Sequence, residues 1–164
     1  MTLLYTSTKT PIGTIHLMAD EHVLLGATFG NFDSLVSSLE DADIQRGIDR
    51  VKRIAVISDL VDDYFGGDLE AINAISVRQS GAHFSQAAWK AMRKIKAGKV
   101  LSYADLAQRA GSPAAVRAAG TACAKNAIVV VVPCHRVVKT GGALGNYAYG
   151  LNAKEWLLRH EGAL

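Results

Sequence analysis

Six apolar residues, Ala127–Val132, run directly into the pentapeptide Pro133–Val137, whose sequence is Pro-Cys-His-Arg-Val. Four of the six are valines, and β-branched residues favour an extended, packed conformation. We therefore expect the run to be a buried segment that holds Cys134 rigidly where the segment ends. A rigidly placed thiol next to His135 is a candidate nucleophile with a candidate base.

The chemistry of this pair depends on the acidity of the thiol. The thiolate is the nucleophile, and a free cysteine with a pKa of about 8.5 is mostly protonated at neutral pH. Since neighbouring side chains of an extended segment point to opposite faces, we expect His135 to accept the proton of Cys134 through a water molecule. Glu161 is the candidate that would orient the imidazole. The alternative is an inert core cysteine beside an unrelated histidine.

The sequence argues against metal and membrane functions. Its two cysteines and five histidines show no CxxC or HxxxH spacing, so we expect no metal site. No apolar run approaches the roughly 20 residues of a membrane span, and the amino terminus does not resemble a signal peptide. We expect a cytoplasmic protein with reduced thiols.

Charge is divided unequally along the chain. Residues 1–82 contain 6 Lys or Arg and 12 Asp or Glu, whereas residues 83–164 contain 12 Lys or Arg and 3 acidic residues. The net charges of −6 and +9 predict an acidic lobe and a basic lobe. Because the basic lobe contains Cys134, we expect the substrate to be a polyanion or to be attached to one; a merely solvated basic surface is the alternative.

The first lobe has the pattern of a small antiparallel sheet with helices. Four apolar runs predict strands: 3–6, 14–18, 23–29 and 72–77. The first three predict an antiparallel meander. Apolar residues at helical spacing predict a helix over 57–65 that ends at Gly66-Gly67. We place this domain at residues 1–78, a linker at 79–83 and a second domain at 84–164.

The second domain has the pattern of a helix-turn-helix. Ser102 suits the N-cap of a helix over Tyr103–Ala110, and a glycine follows for the turn. Ser112 and Pro113 suit the start of a second helix over Ala114–Lys125. This second helix is made almost wholly of small residues, and we expect its cysteine to be buried and inert.

Small side chains restrict what the second helix can do. Direct readout of bases needs several hydrogen-bonding groups, but Arg117 is the only long side chain in the first half of the helix. We therefore predict a docking helix and not a reader of sequence; tight packing of alanines is the alternative. A transcription factor would need a polar reading face. A cysteine hydrolase would need an oxyanion-hole signature, and the sequence shows neither.

These motifs resemble those of the O6-alkylguanine-DNA alkyltransferases, also called methylated-DNA–protein-cysteine methyltransferases. The resemblance is carried by Trp89, Gly98, Ser102-Tyr103, Leu106-Ala107, Arg117-Ala118, Gly120, Asn126, the pentapeptide, Gly145-Asn146-Tyr147 and Lys154-Glu155-Trp156-Leu157-Leu158. It implies an α/β (α+β) fold. The N-terminal lobe would be a small antiparallel sheet with helices, and the C-terminal lobe would be mainly helical and contain the helix-turn-helix.

The resemblance also implies an activity, which is irreversible transfer of the alkyl group from O6-alkylguanine in duplex DNA to the protein's own cysteine. Each molecule would react once, as a monomer, with no cofactor and no metal. O4-alkylthymine stays open as a second lesion. The protein would work in the cytoplasm, on the nucleoid if the organism is prokaryotic. The alternative is a non-catalytic alkyltransferase-like protein that binds the lesion, although such proteins lack the reactive cysteine.

Five residues receive catalytic roles from the resemblance. Cys134 would attack, His135 would take its proton through a water, and Glu161 would hold the imidazole. Asn126 would brace the two halves of the site. Tyr103 would donate a hydrogen bond to N3 of the departing guanine and rotate a phosphate.

Further residues are implied to contact DNA and the damaged base. The family inserts its docking helix into the minor groove and extrudes the base. Arg117 would fill the gap, and the other implied DNA contacts are Tyr103, Ala118, Gly120 and Thr121. The implied pocket residues are Val137, Tyr147, Ala148 and Tyr149. Many relatives carry glycine in place of Tyr149, so we expect its ring to narrow access for bulky groups such as benzyl.

Overall fold

The computed structural model describes residues 1–164, which divide into two compact units. The first unit comprises Met1–Ser80 together with Ala127–Val131, and the second comprises Gly81–Asn126 together with Val132–Leu164. Most of the apolar run, which the sequence placed with the second domain, therefore belongs to the first unit. None of the helices is long and apolar enough to span a membrane.

The first unit is built on a sheet that begins with strands β1 (Leu3–Thr10), β2 (Gly13–Asp20) and β3 (Val23–Thr28). These three strands pair antiparallel in chain order, which confirms the predicted meander. Gly13 has a φ of 122°, a conformation that glycine adopts without steric cost. It therefore closes the first hairpin.

The remaining elements of the first unit are α1 (Phe32–Ser37), α2 (Asp41–Ile44), β4 (Ile48–Arg50), α3 (Ile57–Phe65), a 3₁₀ turn (Ala71–Ala74) and β5 (Ser76–Val77). Helix α3 has the predicted bounds and ends at Gly66. Strands β4 and β5 pair parallel with β1 and β3, so the sheet is mixed, with the order β4-β1-β2-β3-β5. This corrects the prediction of antiparallel pairing throughout, because both edge strands return through long connections that allow parallel pairing.

The apolar run is buried but is not the extended segment that its composition predicts. Ile128 forms a single parallel bridge with Ala27 of β3, and the Val129 N–H donates to the Ala27 carbonyl at 3.1 Å. The chain then bends, because Val130 has a φ of 70° and the Val131 N–H donates back to the Val129 carbonyl at 2.8 Å. This is a γ-turn, which is strained for a β-branched residue. Pairing with β3 and burial of the valines outweigh their preference for extended backbone.

The second unit is mainly helical. Its elements are α4 (His83–Arg93), β6 (Leu101–Ser102), α5 (Tyr103–Arg109), α6 (Val116–Ala124), a 3₁₀ turn (Cys134–Arg136), β7 (Val137–Val138) and α7 (Leu151–His160). Strands β6 and β7 pair parallel. Trp89 of α4 donates its indole N–H to the Ala122 carbonyl of α6 at 2.9 Å, which holds these two helices together.

Helices α5 and α6 form the predicted helix-turn-helix. Ser102 caps α5, since its hydroxyl accepts a hydrogen bond from the Asp105 N–H at 3.0 Å. Helix α6 begins later than predicted, because the Ala115 N–H donates to the Ser112 carbonyl at 2.9 Å and closes a turn. Pro113 suits the second position of that turn. Ser112 therefore does not cap α6, whose N-cap residue is Ala115.

Candidate active site

The candidate nucleophile lies in a tight turn of the second unit. The Cys134 N–H donates to the Val132 carbonyl at 2.8 Å around Pro133, and the 3₁₀ turn Cys134–Arg136 follows directly. The expectation that Cys134 and His135 alternate along extended backbone is therefore wrong, because consecutive turns enclose the pair. Cys134 is 6% exposed and His135 is fully buried.

His135 is held by a buried ion pair. Its Nε2 lies 2.8 Å from Oε2 of Glu161, and Arg136 donates to both oxygens of the same carboxylate at 2.8 and 2.9 Å. Arg136 also donates to the Ile95 carbonyl at 2.6 Å. The three side chains are at most 2% exposed. Such a buried pair persists because each charged atom has a hydrogen-bond partner.

The hydrogen bonds identify which nitrogen of His135 can accept a proton. Burial alone would raise the pKa of Glu161, but hydrogen bonds from His135 and Arg136 outweigh it and hold this pKa below its ordinary value. An ionised carboxylate only accepts, so Nε2 of His135 carries the hydrogen. Burial lowers the pKa of His135, which leaves the imidazole neutral. Its Nδ1 is therefore a buried acceptor, and it has no hydrogen-bond partner among the protein atoms.

A thiol that acts as a nucleophile needs such an acceptor, and Cys134 is the candidate. Burial raises its pKa, and a hydrogen bond from Asn126 and the charge of Lys154 oppose this effect. Asn126 is buried and donates from Nδ2 to the Val132 carbonyl at 2.8 Å. Asn126 thus contacts both the turn that precedes Cys134 and the sulfur of Cys134 itself. At rest the thiol is protonated, so a nucleophilic role for Cys134 would require a base.

Tyr103 is positioned by the loop that precedes α7. A Cβ at Gly145 would lie 2.9 Å from the Tyr103 hydroxyl, and Gly145 has a φ of 75°, so both space and backbone require glycine there. The fully buried Lys154 donates to the carbonyls of Val137 and Asn146 at 2.6 and 3.2 Å. Lys154 thereby fastens this loop to β7.

Sequence reasoning missed the structural roles of Lys154 and Arg136. A signal for Lys154 was available, because Lys154, Leu157, Leu158 and Glu161 recur at the spacing of one helical face, and all four are buried. A charged residue on an otherwise apolar face is rare unless it has buried partners. No comparable pattern marks Arg136, whose partners are distant in sequence.

The candidate DNA-contacting residues lie on α6, apart from Tyr103. Arg117 and Thr121 are exposed, while Ala118 and Gly120 are partly exposed. A Cβ at Gly120 would meet no atom within 4 Å. Ala119 and Ala122 are fully buried, so packing explains the alanines of one face only. The other face of α6 is open and has few side chains that could obstruct a close approach.

The candidate pocket residues lie on β7 and in the loop before α7. Val137 is buried, Ala148 is exposed, and the rings of Tyr147 and Tyr149 pack edge to face at 5.8 Å. Burial raises the pKa of the other cysteine, Cys123, to about 12, which keeps its thiol protonated at neutral pH. No group of three or more His, Cys, Asp or Glu residues is arranged to hold a metal ion.

The family model, the curated relatives and the solved structure that resemble this chain all belong to one family, and the full-length matches cover 98–99% of the chain. Residues 83–163 match the family model for the DNA binding domain of 6-O-methylguanine DNA methyltransferase. The methylated-DNA–protein-cysteine methyltransferase of Shigella flexneri is 37% identical, over 99% of this chain and 97% of that protein. The protein of the same name from Salmonella typhimurium is 38% identical with equal coverage. The structure of Mycobacterium tuberculosis OGT in complex with DNA has a TM-score of 0.80 and 28% identity, over 98% of this chain and 93% of that chain.

Proposed function

The chain belongs to the methylated-DNA–protein-cysteine methyltransferase family, and from this premise we propose that Cys134 is the residue that accepts the methyl group. The activity is DNA repair, by removal of methyl from O6-methylguanine. One observation carries the assignment of Cys134. Cys134 lies beside His135, whose only unpartnered nitrogen, Nδ1, is a buried acceptor because Glu161 holds the hydrogen on Nε2.

In the proposed reaction, Nδ1 of His135 takes the proton of Cys134 through a bridging water. Glu161 keeps the hydrogen on Nε2 and stabilises the imidazolium that forms. The thiolate attacks the O6-methyl carbon in line, so that the S–C bond forms as the C–O bond breaks. The electron pair leaves on the guanine oxygen, and Tyr103 donates a hydrogen bond to N3, where part of that charge develops.

Each molecule is proposed to react once. The product is a thioether on Cys134. Removal of the methyl group would expel the Cys134 thiolate, which is a poor leaving group from a methyl carbon. Cys123 cannot release it by attack, because its pKa of about 12 leaves almost no thiolate at neutral pH. The methyl group comes from the lesion itself, so the reaction consumes one protein for each base repaired and uses no cofactor.

DNA is proposed to dock on the open face of α6 through its minor groove. The O6 group lies within the base stack, so an in-line attack requires the base to be extruded. Arg117 would fill the gap, and Tyr103, Ala118, Gly120 and Thr121 would line the contact. The pocket for the extruded base would consist of Val137, Tyr147, Ala148 and Tyr149. We propose that the protein acts as a monomer on cellular DNA, with O4-alkylthymine as a further substrate to test.

The assignment of Cys134 is tested by intact mass after incubation with duplex DNA that contains one O6-methylguanine. We expect one added methyl group per protein, located on Cys134 by peptide sequencing. Cys123→Ser should react normally and Cys134→Ser should not react. A methyl group on Cys123 would contradict the assignment. Tight lesion binding without any mass gain would instead indicate a non-catalytic lesion-binding protein.

Tyr149 is proposed to restrict the size of the alkyl group. Its ring packs against Tyr147 in the loop before α7, which contributes residues to the proposed pocket. A large O6 substituent would have to fit beside this ring. We expect O6-benzylguanine duplexes to react more slowly than O6-methylguanine duplexes, and Tyr149→Gly to reduce the difference. Equal rates for the two lesions in the unmodified protein would refute this proposal.

A further inference from the structure

A basic surface lies outside the candidate active site, at the end of α4. It consists of four exposed lysines, Lys90, Lys94, Lys96 and Lys99, which we term the lysine patch. No acidic residue occurs between Glu70 and Asp105. None of the four lysines forms an ion pair, although Arg46, Arg53, Arg78, Arg136 and Arg159 all do so elsewhere in the chain. The chain thus leaves this charge uncompensated.

The backbone holds the lysine patch in a defined shape. Lys90 and Lys94 are one turn apart at the end of α4, where like charges repel. The Lys99 N–H donates to the Lys96 carbonyl at 3.0 Å, and Gly98 has a φ of 89°, so a tight turn brings Lys96 and Lys99 together. The negative end of the α4 dipole favours the first two lysines, but the last two lie beyond the helix.

The same backbone is anchored to the buried ion pair of the active site. The Ile95 carbonyl accepts a hydrogen bond from Arg136, and a Cβ at Gly98 would lie 3.1 Å from the Glu161 carbonyl oxygen. The turn that carries Lys96 and Lys99 therefore rests on a rigid base. Cations carried on a rigid backbone lose less backbone freedom on binding than cations on a mobile loop.

The composition of the patch favours one class of polyanion. Single-stranded nucleic acids are bound with aromatic side chains on which bases stack, and residues 90–102 contain none. Membrane-surface helices need a free apolar face, whereas Ala88, Ala91 and Met92 of α4 are buried in the unit. Duplex DNA needs only cations for its phosphates.

We propose that the lysine patch is a second binding surface for the phosphate backbone of duplex DNA, separate from α6 and without sequence preference. This inference rests on the proposed function, since it assumes that duplex DNA is the substrate. Its effect would be to strengthen binding to undamaged DNA and so to keep the protein on DNA between lesions. The four lysines would contribute to affinity and not to the chemical step.

The test is the salt dependence of binding to an undamaged duplex. In the variant K90Q/K94Q/K96Q/K99Q, we expect the slope of log K against log[KCl] to become shallower by about 0.9 for every phosphate that the variant no longer neutralises. The matched comparison uses two double variants with equal charge change. K96Q/K99Q should reduce the slope, whereas K9Q/K52Q, which alters two exposed lysines of the first unit, should not.

The outcomes separate this proposal from the proposed function. An unchanged slope in the quadruple variant, or equal reductions in the two double variants, would overturn the lysine patch as a DNA-binding surface. Methyl transfer measured at saturating lesion duplex should be unaffected in the quadruple variant, because the active site is intact. Failure of the proposed function would appear differently, as an absence of methyl on Cys134 in the unmodified protein.

Discussion

The two units each contain a network of arginines and carboxylates, but the two networks differ in burial. In the first unit, Arg46 holds Asp20 with two hydrogen bonds of 3.0 and 2.8 Å, and Arg78 holds Asp43 at 3.2 and 3.3 Å. We call these four residues the exposed network, since three of the side chains are 29–47% exposed and the fourth, that of Asp43, is 12% exposed. Water can therefore supply any hydrogen bond that the side chains of the exposed network do not make with each other.

In the buried network of His135, Arg136 and Glu161, bulk water cannot supply missing hydrogen bonds. Its side chains are at most 2% exposed, so each atom left without a partner bears the full cost of desolvation. All charged atoms of the carboxylate are satisfied, and the Nδ1 of His135 is not. A hydrogen bond that the protein leaves unmade is therefore informative in the buried network, where bulk water is excluded and only the proposed bridging water would fill it.

The difference in burial should act most strongly on stability. Arg136→Met leaves the Glu161 carboxylate buried without its main partner, and breaking a buried pair typically costs about 3–5 kcal/mol. Arg78→Met is the matched control, because an exposed pair contributes about 0–1 kcal/mol. Urea unfolding followed by circular dichroism measures both variants. Tryptophan fluorescence reports the second unit alone, since Trp89 and Trp156 both lie there. Equal losses of stability in the two variants would contradict the distinction between the networks.

The next effect is on the rate of methyl transfer. Glu161→Gln removes the negative charge that keeps the hydrogen on Nε2 of His135, so the single-turnover rate should fall by about 10²–10⁴, the usual contribution of a general base. Asp43→Asn, the equivalent change in the exposed network, should leave the rate unchanged. His135→Gln keeps the pair of Arg136 and Glu161 and should lose a comparable factor. Normal transfer by His135→Gln would exclude the imidazole as the base.

The sequence predicted the elements around the site where the signal is local. The pentapeptide is contiguous, Ser102 caps α5 through a hydrogen bond to a residue three positions away, and Gly66 ends α3. Such signals depend on nearby residues, which a sequence displays directly. His135 and Glu161 are 26 positions apart. The sequence offered Glu161 as a candidate to orient the imidazole, but only the fold brings the two side chains together.

What the sequence could not show depends on distant partners. The valine run has a strong local preference for extended backbone, yet pairing of Ile128 with Ala27 and the turn at Val130 override it. The parallel edge strands depend on pairing between segments more than 40 residues apart in the case of β1 and β4. Arg136 reads as a surface cation until Glu161 and the Ile95 carbonyl are placed beside it.

Acid pH should separate the networks again, with a smaller effect. The pKa of His135 is held below 6.5 by burial, so the unfolded chain gains a proton that the folded chain does not bind as pH falls through that value. The second unit should therefore lose stability below pH 6.5. A further loss should begin below 4.5, since the pKa of Glu161 is lower when folded. The hydrogen bond from Arg46 lowers the pKa of Asp20, whose contribution fades only below 3.8.

The measurement is the urea midpoint by tryptophan fluorescence at pH 7.5 and pH 5.5. His135→Gln should remove most of the difference between the two midpoints. His16→Gln is the control, because burial also lowers the pKa of His16 in the first unit, and this variant should keep the difference. Identical behaviour of the two variants would mean that the pH effect does not come from the buried network.

Salt should have the weakest effect, but it compares the two networks most directly. At low salt the exposed pair of Arg78 and Asp43 should show a coupling energy of about 0.2–1 kcal/mol in a double-mutant cycle. In 1 M NaCl the Debye length is about 3 Å, so this coupling should fade. The coupling of Arg136 and Glu161 should persist, because ions cannot approach a fully buried carboxylate. If salt weakens both couplings equally, solvent reaches the buried network. Nδ1 of His135 would then face bulk solvent and not a single bridging water, and its lack of a protein partner would no longer identify it as the base for Cys134.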